Sequence, residues 1–129
     1  MIEITQKYIE KLLILISSHP TPFDDNLHRN LPTEGGIYRV FEAPSDWRES
    51  IYVGKTSNLQ DRIYNNLLMG NTQAHTLKRK LVNAGFPNEK AKQYFKNNCR
   101  IQYLEISDER QRSFFEHFTI SILKPKYND

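Results

Sequence analysis

Two runs of strand-forming residues, each bounded by glycine, constrain this chain more than any other feature. Gly35-Gly36 opens into Ile37-Tyr38-Arg39-Val40-Phe41-Glu42, which alternates and is rich in β-branched and aromatic residues. Ile51-Tyr52-Val53 follows and is stopped by Gly54. Pro44, Ser45 and Asp46 mark the stretch 43–50 between the runs as a loop, so the pair reads as an antiparallel hairpin. A helix signal comes next. Ser57 and Gln60 form an S-x-x-Q capping box, Leu59, Ile63, Leu67 and Leu68 supply an apolar stripe, and Gly70-Asn71 closes the segment. A two-stranded hairpin is marginal on its own, so the remaining chain must cover it.

The remaining chain supplies that cover. Ile4, Tyr8, Leu12, Leu15 and Ile16 recur at helical spacing, predicting a helix over 2–18, although the run 12–16 also suits a short strand. His19-Pro20-Thr21-Pro22 ends it, because two prolines cannot continue a helix. Residues 20–34 read as polar and irregular. Further helices are predicted over about 74–83 and 88–97, a strand over 100–106, and a last helix from a Ser107 cap to about Leu123, stopped by Pro125. The order α, β, β, α, α, α, β, α predicts an α+β fold: a small, largely antiparallel three-stranded sheet flanked by helices. With 129 residues and no dividing linker, the chain reads as a single domain, residues 1–34 a helical extension and 35–129 the core.

Some classes are disfavoured. The longest apolar run, Leu12 to Ile16, is five residues, far below the ~18–20 that span a bilayer. The start lacks the basic region of a secretory signal, so a cytoplasmic protein with no membrane partner is expected. The single cysteine, Cys99, cannot build a disulfide framework or a cysteine-based zinc site. Net charge is +3, but it is unevenly spread: residues 71–102 hold seven Lys/Arg against one Asp/Glu. That segment suits a polyanion, and equally a solvated lysine-rich helix face.

Several side chains could do chemistry. Alternation puts Tyr38 and Val40 on one face of the first strand, and a Tyr52 roughly opposite Tyr38 would project to the same side. Gly54 faces that side too and leaves room for a ligand or a close backbone approach. Two core tyrosines stacked across a hairpin would look the same. Lys55 sits at the entrance of the next helix and Arg62 inside it. Arginine suits a bidentate grip on phosphate, though a surface arginine is usually just solvated. Glu116 lies on the strongly apolar last helix, in line with Arg112, Ile120 and Leu123. A carboxylate there must be paired, protonated or bound to metal.

The joint order of these elements is more specific than any one of them. Gly36-Ile37-Tyr38, then Tyr52-Val53-Gly54-Lys55, an arginine ten residues beyond Tyr52, a helical glutamate, and Pro125-x-Tyr127-Asn128 together resemble the GIY-YIG nuclease family. The second motif departs from its name only by Val53. The resemblance covers residues 35–128, and 35–66 looks most similar to the nuclease domain of the repair excinucleases; homing endonucleases carry related domains. It implies a metal-dependent endonuclease acting on nucleic acid, with DNA the first expectation. By that resemblance, Tyr38 is the general base or part of its relay, Tyr52 orients the water or phosphate, Arg62 holds the scissile phosphate, and Asn128 supports the site. Glu116 binds one divalent cation, Mg²⁺ with Mn²⁺ as the alternative. Lys55, Lys78, Arg79 and Lys80 are the candidate nucleic-acid contacts. Many family members carry histidine or tyrosine four residues after the arginine, where this chain has Asn66; Tyr64 and His75 are candidates to take over.

The chemistry is coherent without the family. Hydrolysis needs an activated water and stabilised phosphoryl charge. A free phenol with a pKa near ~10 is a poor base unless a cation lowers it. One carboxylate is enough for a Mg²⁺ that keeps most of its waters. The rival readings are a non-catalytic nucleic-acid-binding module on the same fold, which predicts that one of these residues is missing, and a protein-interaction domain, which leaves the basic segment unexplained.

Overall fold

The computed structural model describes residues 2–43 and 49–128. Pro44, Ser45 and Asp46, the markers of the expected hairpin loop, lie outside the described residues. The elements run α1 (Ile2–Ser17), β1 (Thr21–Pro22), α2 (Leu27–Asn30), β2 (Gly36–Glu42), β3 (Ser50–Thr56), a π-helix (Asp61–Leu68), α3 (Thr76–Asn83), α4 (Asn88–Asn98), β4 (Cys99–Glu105) and α5 (Glu109–Leu123). The sheet is antiparallel throughout, in the order β1-β4-β2-β3. The α+β class is as expected, but there are four strands rather than three. Thr21 and Pro22 had read only as a helix stop. They pair with Ile101 and Arg100 at the sheet margin, where a proline costs no ladder bond.

The sheet separates two apolar layers. Tyr38, Val40 and Ile101 bury against Leu59, Ile63 and Leu67 of the π-helix segment, Leu77 and Leu81 of α3, and Phe95 of α4. On the other side Ile37 and Val53 meet Leu12 and Leu15 of α1 and Phe115 and Leu123 of α5. Strand alternation sorts these residues, and it also decides that Tyr38 faces the π-helix and α3. The segment expected to be irregular contributes Phe23, Leu27 and Leu31 to the first layer, through the short helix α2. Of the stripe expected on α1, Ile4 stays exposed.

Three local expectations are corrected. The helix after the hairpin is wound wide: the Met69 amide bonds the Tyr64 carbonyl five residues back, at 2.9 Å. Such π segments are frequent at functional sites. Its start is capped not by Ser57 and Gln60 but by Asn58, whose Oδ1 accepts the Asp61 amide at 2.9 Å, while the Gln60 side-chain amide reaches the His28 carbonyl. At α5 the cap is Asp108, accepting the Gln111 amide at 3.0 Å, one residue beyond Ser107; a carboxylate there also favours the positive helix end.

The end of the chain fixes the site's outer wall. α5 stops at Lys124, whose left-handed φ of 46° turns the chain back. The following residues run along β3, the exposed sheet edge. The Lys126 and Tyr127 amides donate to the Ser50 and Ile51 carbonyls, and the Asn128 side chain both accepts from the Val53 amide (2.8 Å) and donates to its carbonyl (2.9 Å). One asparagine amide thus mimics a strand residue and satisfies an edge otherwise open to pairing.

Candidate active site

Tyr38 does not face Tyr52 directly. The register pairs Tyr38 with Gly54 and Tyr52 with Val40, so the tyrosines are diagonal neighbours on one face, with ring centroids 6.2 Å apart. The room left by Gly54 is filled by Tyr38 itself: a Cβ at Gly54 would sit 2.6 Å from the Tyr38 Oη and 2.9 Å from Tyr52 Cε2. Only glycine lets the phenol lie across β3 here. Tyr38 is fully buried, so it has nowhere to retreat. We therefore expect Gly54→Ala to destabilise the fold by about 1–3 kcal/mol, the usual cost of overpacking, read from the denaturant midpoint. A neutral substitution would mean that Tyr38 is not held where it lies.

A third ring completes the cluster. His75, in the residue position that caps α3, stands edge-on to both tyrosines at 6.1 and 5.3 Å. Its Nε2 lies 2.6 Å from the Tyr38 Oη, and its Nδ1 accepts the Leu77 amide at 3.0 Å. Arg62 donates to the Ala74 carbonyl at 3.0 Å, and its charge acts on both Tyr38 and Tyr52. Thr76 interacts with Tyr52. The loop into α3 therefore supplies as much of the site as the motif residues do. Sequence reading named His75 only as a stand-in for the residue missing at Asn66, and did not name Thr76. One signal was available: histidine is not among the favoured N-cap residues, so its presence before a helix hints at another task.

Burial dominates the electrostatics. It raises both phenols above the ordinary tyrosine range, and each tyrosine is also raised by the charge of Glu116; the Arg62 guanidinium opposes this only in part. The expectation that a neighbouring cation lowers the Tyr38 pKa is thus corrected in its net result, because desolvation is the larger effect. Burial also holds His75 down, to about 3, with Arg62, Lys78 and Arg79 adding to the effect, so the ring is neutral at physiological pH.

Glu116 reaches the same strand from the opposite layer. Its side chain is 15% exposed, and the Lys55 backbone amide, the next outward-facing group along β3 from the pair taken by Asn128, helps to stabilise its charge. Desolvation raises its carboxyl above the usual range, and Lys55 and His117 pull it back. Arg112, in line with Glu116 on the same helix, lies against Gly35. Among the described residues no group of three or more His, Cys, Asp and Glu could hold a metal ion, which leaves Glu116 as the carboxylate whose charge reaches both tyrosines.

The four candidate nucleic-acid contacts separate. Arg79 is partly exposed and acts on both Tyr52 and His75. Lys55 is exposed beside Glu116, with its ammonium on Ser113 Oγ at 2.7 Å. Lys80 is tied to the Tyr127 carbonyl at 2.9 Å. Lys78 is 1% exposed, its ammonium bonded to the Leu68 and Gly70 carbonyls that end the π-helix. That placement corrects its reading as a phosphate contact: it caps the π-helix, where a cation meets the negative end.

No family model matches the chain. It is 27% identical over 104 residues to the UvrABC system protein C of Helicobacter pylori strain P12, covering 78% of this chain and 15% of that protein. Its identity to the UvrABC system protein C of Petrotoga mobilis is 28% over 105 residues, 81% of this chain and 16% of that protein. It therefore spans a small fraction of the length of both relatives. Among solved structures, the GIY-YIG N-terminal endonuclease domain of UvrC from Thermotoga maritima, bound to its catalytic magnesium, superposes with a TM-score of 0.53 at 20% identity, covering 82% of this chain and 99% of that domain. A point mutant of that domain, bound to its catalytic divalent cation, gives the same TM-score.

Proposed function

We propose that this chain, whose fold is that of the GIY-YIG endonuclease domain, is a metal-dependent endonuclease that hydrolyses phosphodiester bonds in DNA, with residues 35–129 as the nuclease core and 1–34 as a helical extension. The observation that carries this reading is the meeting of Tyr38, Tyr52, Arg62 and Glu116 around β3: the rings lie 6.2 Å apart, and the charges of Arg62 and Glu116 act on both phenols.

Arg62 holds the scissile phosphate, for its fork fits two phosphoryl oxygens and its charge offsets the one that develops there. Tyr38 takes the proton of the attacking water, Tyr52 orients that water, and Asn128 keeps the strand carrying Tyr52 and Gly54 in register. Desolvation raises this carboxylate despite the exposed Lys55 and His117 beside it, so the protein compensates its charge poorly, which fits a site completed by a cation. Glu116 would hold that ion, with waters filling its other positions. When bound, the cation would supply Lewis-acid stabilisation of the leaving oxygen. The test is cleavage of end-labelled DNA and of RNA of the same sequence in Mg²⁺. Internal cuts in the DNA are expected. Cuts in the RNA alone would overturn the substrate assignment, and cuts in neither would overturn the enzyme.

Arg79 is the basic-segment residue best placed to touch the backbone of the substrate. Arg79→Gln should weaken DNA binding equally for every sequence and lower the log–log salt slope by about 0.9, one released counterion. Titrations across a salt series read this directly; an unchanged slope would remove Arg79 from the path.

A further inference from the structure

We infer that His75 is a positioning residue which donates a hydrogen bond from its Nε2–H to the Tyr38 oxygen, and so takes no proton from Tyr38 itself. This rests on the nuclease reading above, and it assigns the site's proton traffic.

The tautomer follows from two bonds on one ring. A neutral imidazole has one donor nitrogen and one acceptor nitrogen. The Leu77 backbone amide can only donate, and it points at Nδ1 from 3.0 Å, so Nδ1 is the acceptor. The ring hydrogen then sits on Nε2, 2.6 Å from the Tyr38 Oη, and the phenol must accept it. The electrostatics act in the same sense. Burial first, and then the charges of Arg62, Lys78 and Arg79, keep the ring from gaining a second proton.

The consequence is mechanistic. The Tyr38 oxygen receives the His75 N–H, and the Arg62 guanidinium acts on it by its charge. Its own hydrogen therefore points away from His75. The phenolate form gains most from the donor and the charge, because hydrogen bonds to an anion are the stronger ones. His75 thus offsets part of the cost of ionising a buried phenol, from α3 rather than from the position of Asn66, four residues after Arg62.

The experiment has two readouts. Long-range ¹H–¹⁵N correlation of the histidine rings in the free protein, with His75 assigned by its loss in His75→Gln, should show hydrogen on Nε2 and no titration between pH 5 and 8. Hydrogen on Nδ1, or a titration in that range, would overturn the proposal whatever the activity. Single-turnover cleavage is then compared in two variants that differ in the bond they keep. Glutamine can place an N–H near Tyr38 but cannot relay a proton; asparagine can cap α3 but cannot reach Tyr38. His75→Gln should stay within about tenfold of wild type, and His75→Asn should fall by about 10²-fold or more in kcat with little change in KM. Equal losses in both, with melting temperatures unchanged, would establish His75 as a proton carrier and overturn the proposal. A wild type that cuts nothing would contradict the nuclease reading instead, leaving the ring spectra to decide the hydrogen bond.

Discussion

Glu116→Gln should abolish cleavage and leave the protein at least as stable as wild type at pH 7. The two results come from one cause. Desolvation raises the Glu116 carboxyl in the folded protein, so folding favours its neutral form. A group with a raised folded pKa contributes most to stability at low pH, and that contribution is lost as pH rises through the folded value. At pH 7 the wild type holds a partly desolvated charge, and glutamine removes it while keeping a carbonyl for the Lys55 amide. A divalent cation reverses the comparison. Bound at about a hundred times its dissociation constant, it adds about 2.7 kcal/mol to the stability of the protein that binds it. Magnesium or manganese should therefore raise the melting temperature of wild type and not of Glu116→Gln. An equal rise in both proteins would move the ion elsewhere, and unfolding of the variant would make Glu116 a structural pair.

Tyr38→Phe should lower single-turnover cleavage by about 10²–10⁴-fold, the range lost with a general base. Sequence reading alone predicts little effect on packing, since only a hydroxyl is removed. The structure predicts otherwise. Tyr38 is fully buried, and its oxygen receives the buried His75. Without it that buried donor loses its acceptor, at about 1–3 kcal/mol in the denaturation midpoint. The pH profile carries a further sign. Burial raises the phenol above its ordinary value, so the wild-type rate should still be climbing at pH 9, and that climb should be missing in Tyr38→Phe. Full activity in the phenylalanine variant would show that another group activates the water.

The sheet and its helices were legible because alternation and helical periodicity are local. Tyr38 and Tyr52 could be assigned to one face, since both lie at fixed parity from their strand starts. Register was not legible: a bulge at Val40/Phe41 shifts the pairing, so Tyr38 meets Gly54. β1 was missed because two residues carry no periodicity and prolines read as breaks. The π-helix was missed because its buried Ile63 and Leu67, with Leu59 just before it, have a spacing of four, which an α-helix satisfies as well. In the site, motif spacing found the residues that the strands and long helices carry. It could not separate Arg79 from Lys78, adjacent in sequence, where one acts on Tyr52 and His75 and the other is buried under the π-helix. Nor could it tell that the loop into α3 folds back to place His75 on Tyr38, which is a tertiary contact across 37 residues.

The central claim is that the residues around β3 form a cation-dependent phosphodiesterase site. Nicking of supercoiled plasmid tests it most directly, with wild type and Glu116→Gln purified side by side and assayed in magnesium and in chelator. The account predicts relaxed circles and then linear DNA from wild type in magnesium alone, and intact supercoils in the other three reactions. Nicking by Glu116→Gln at the wild-type rate, or by wild type in chelator, would contradict it.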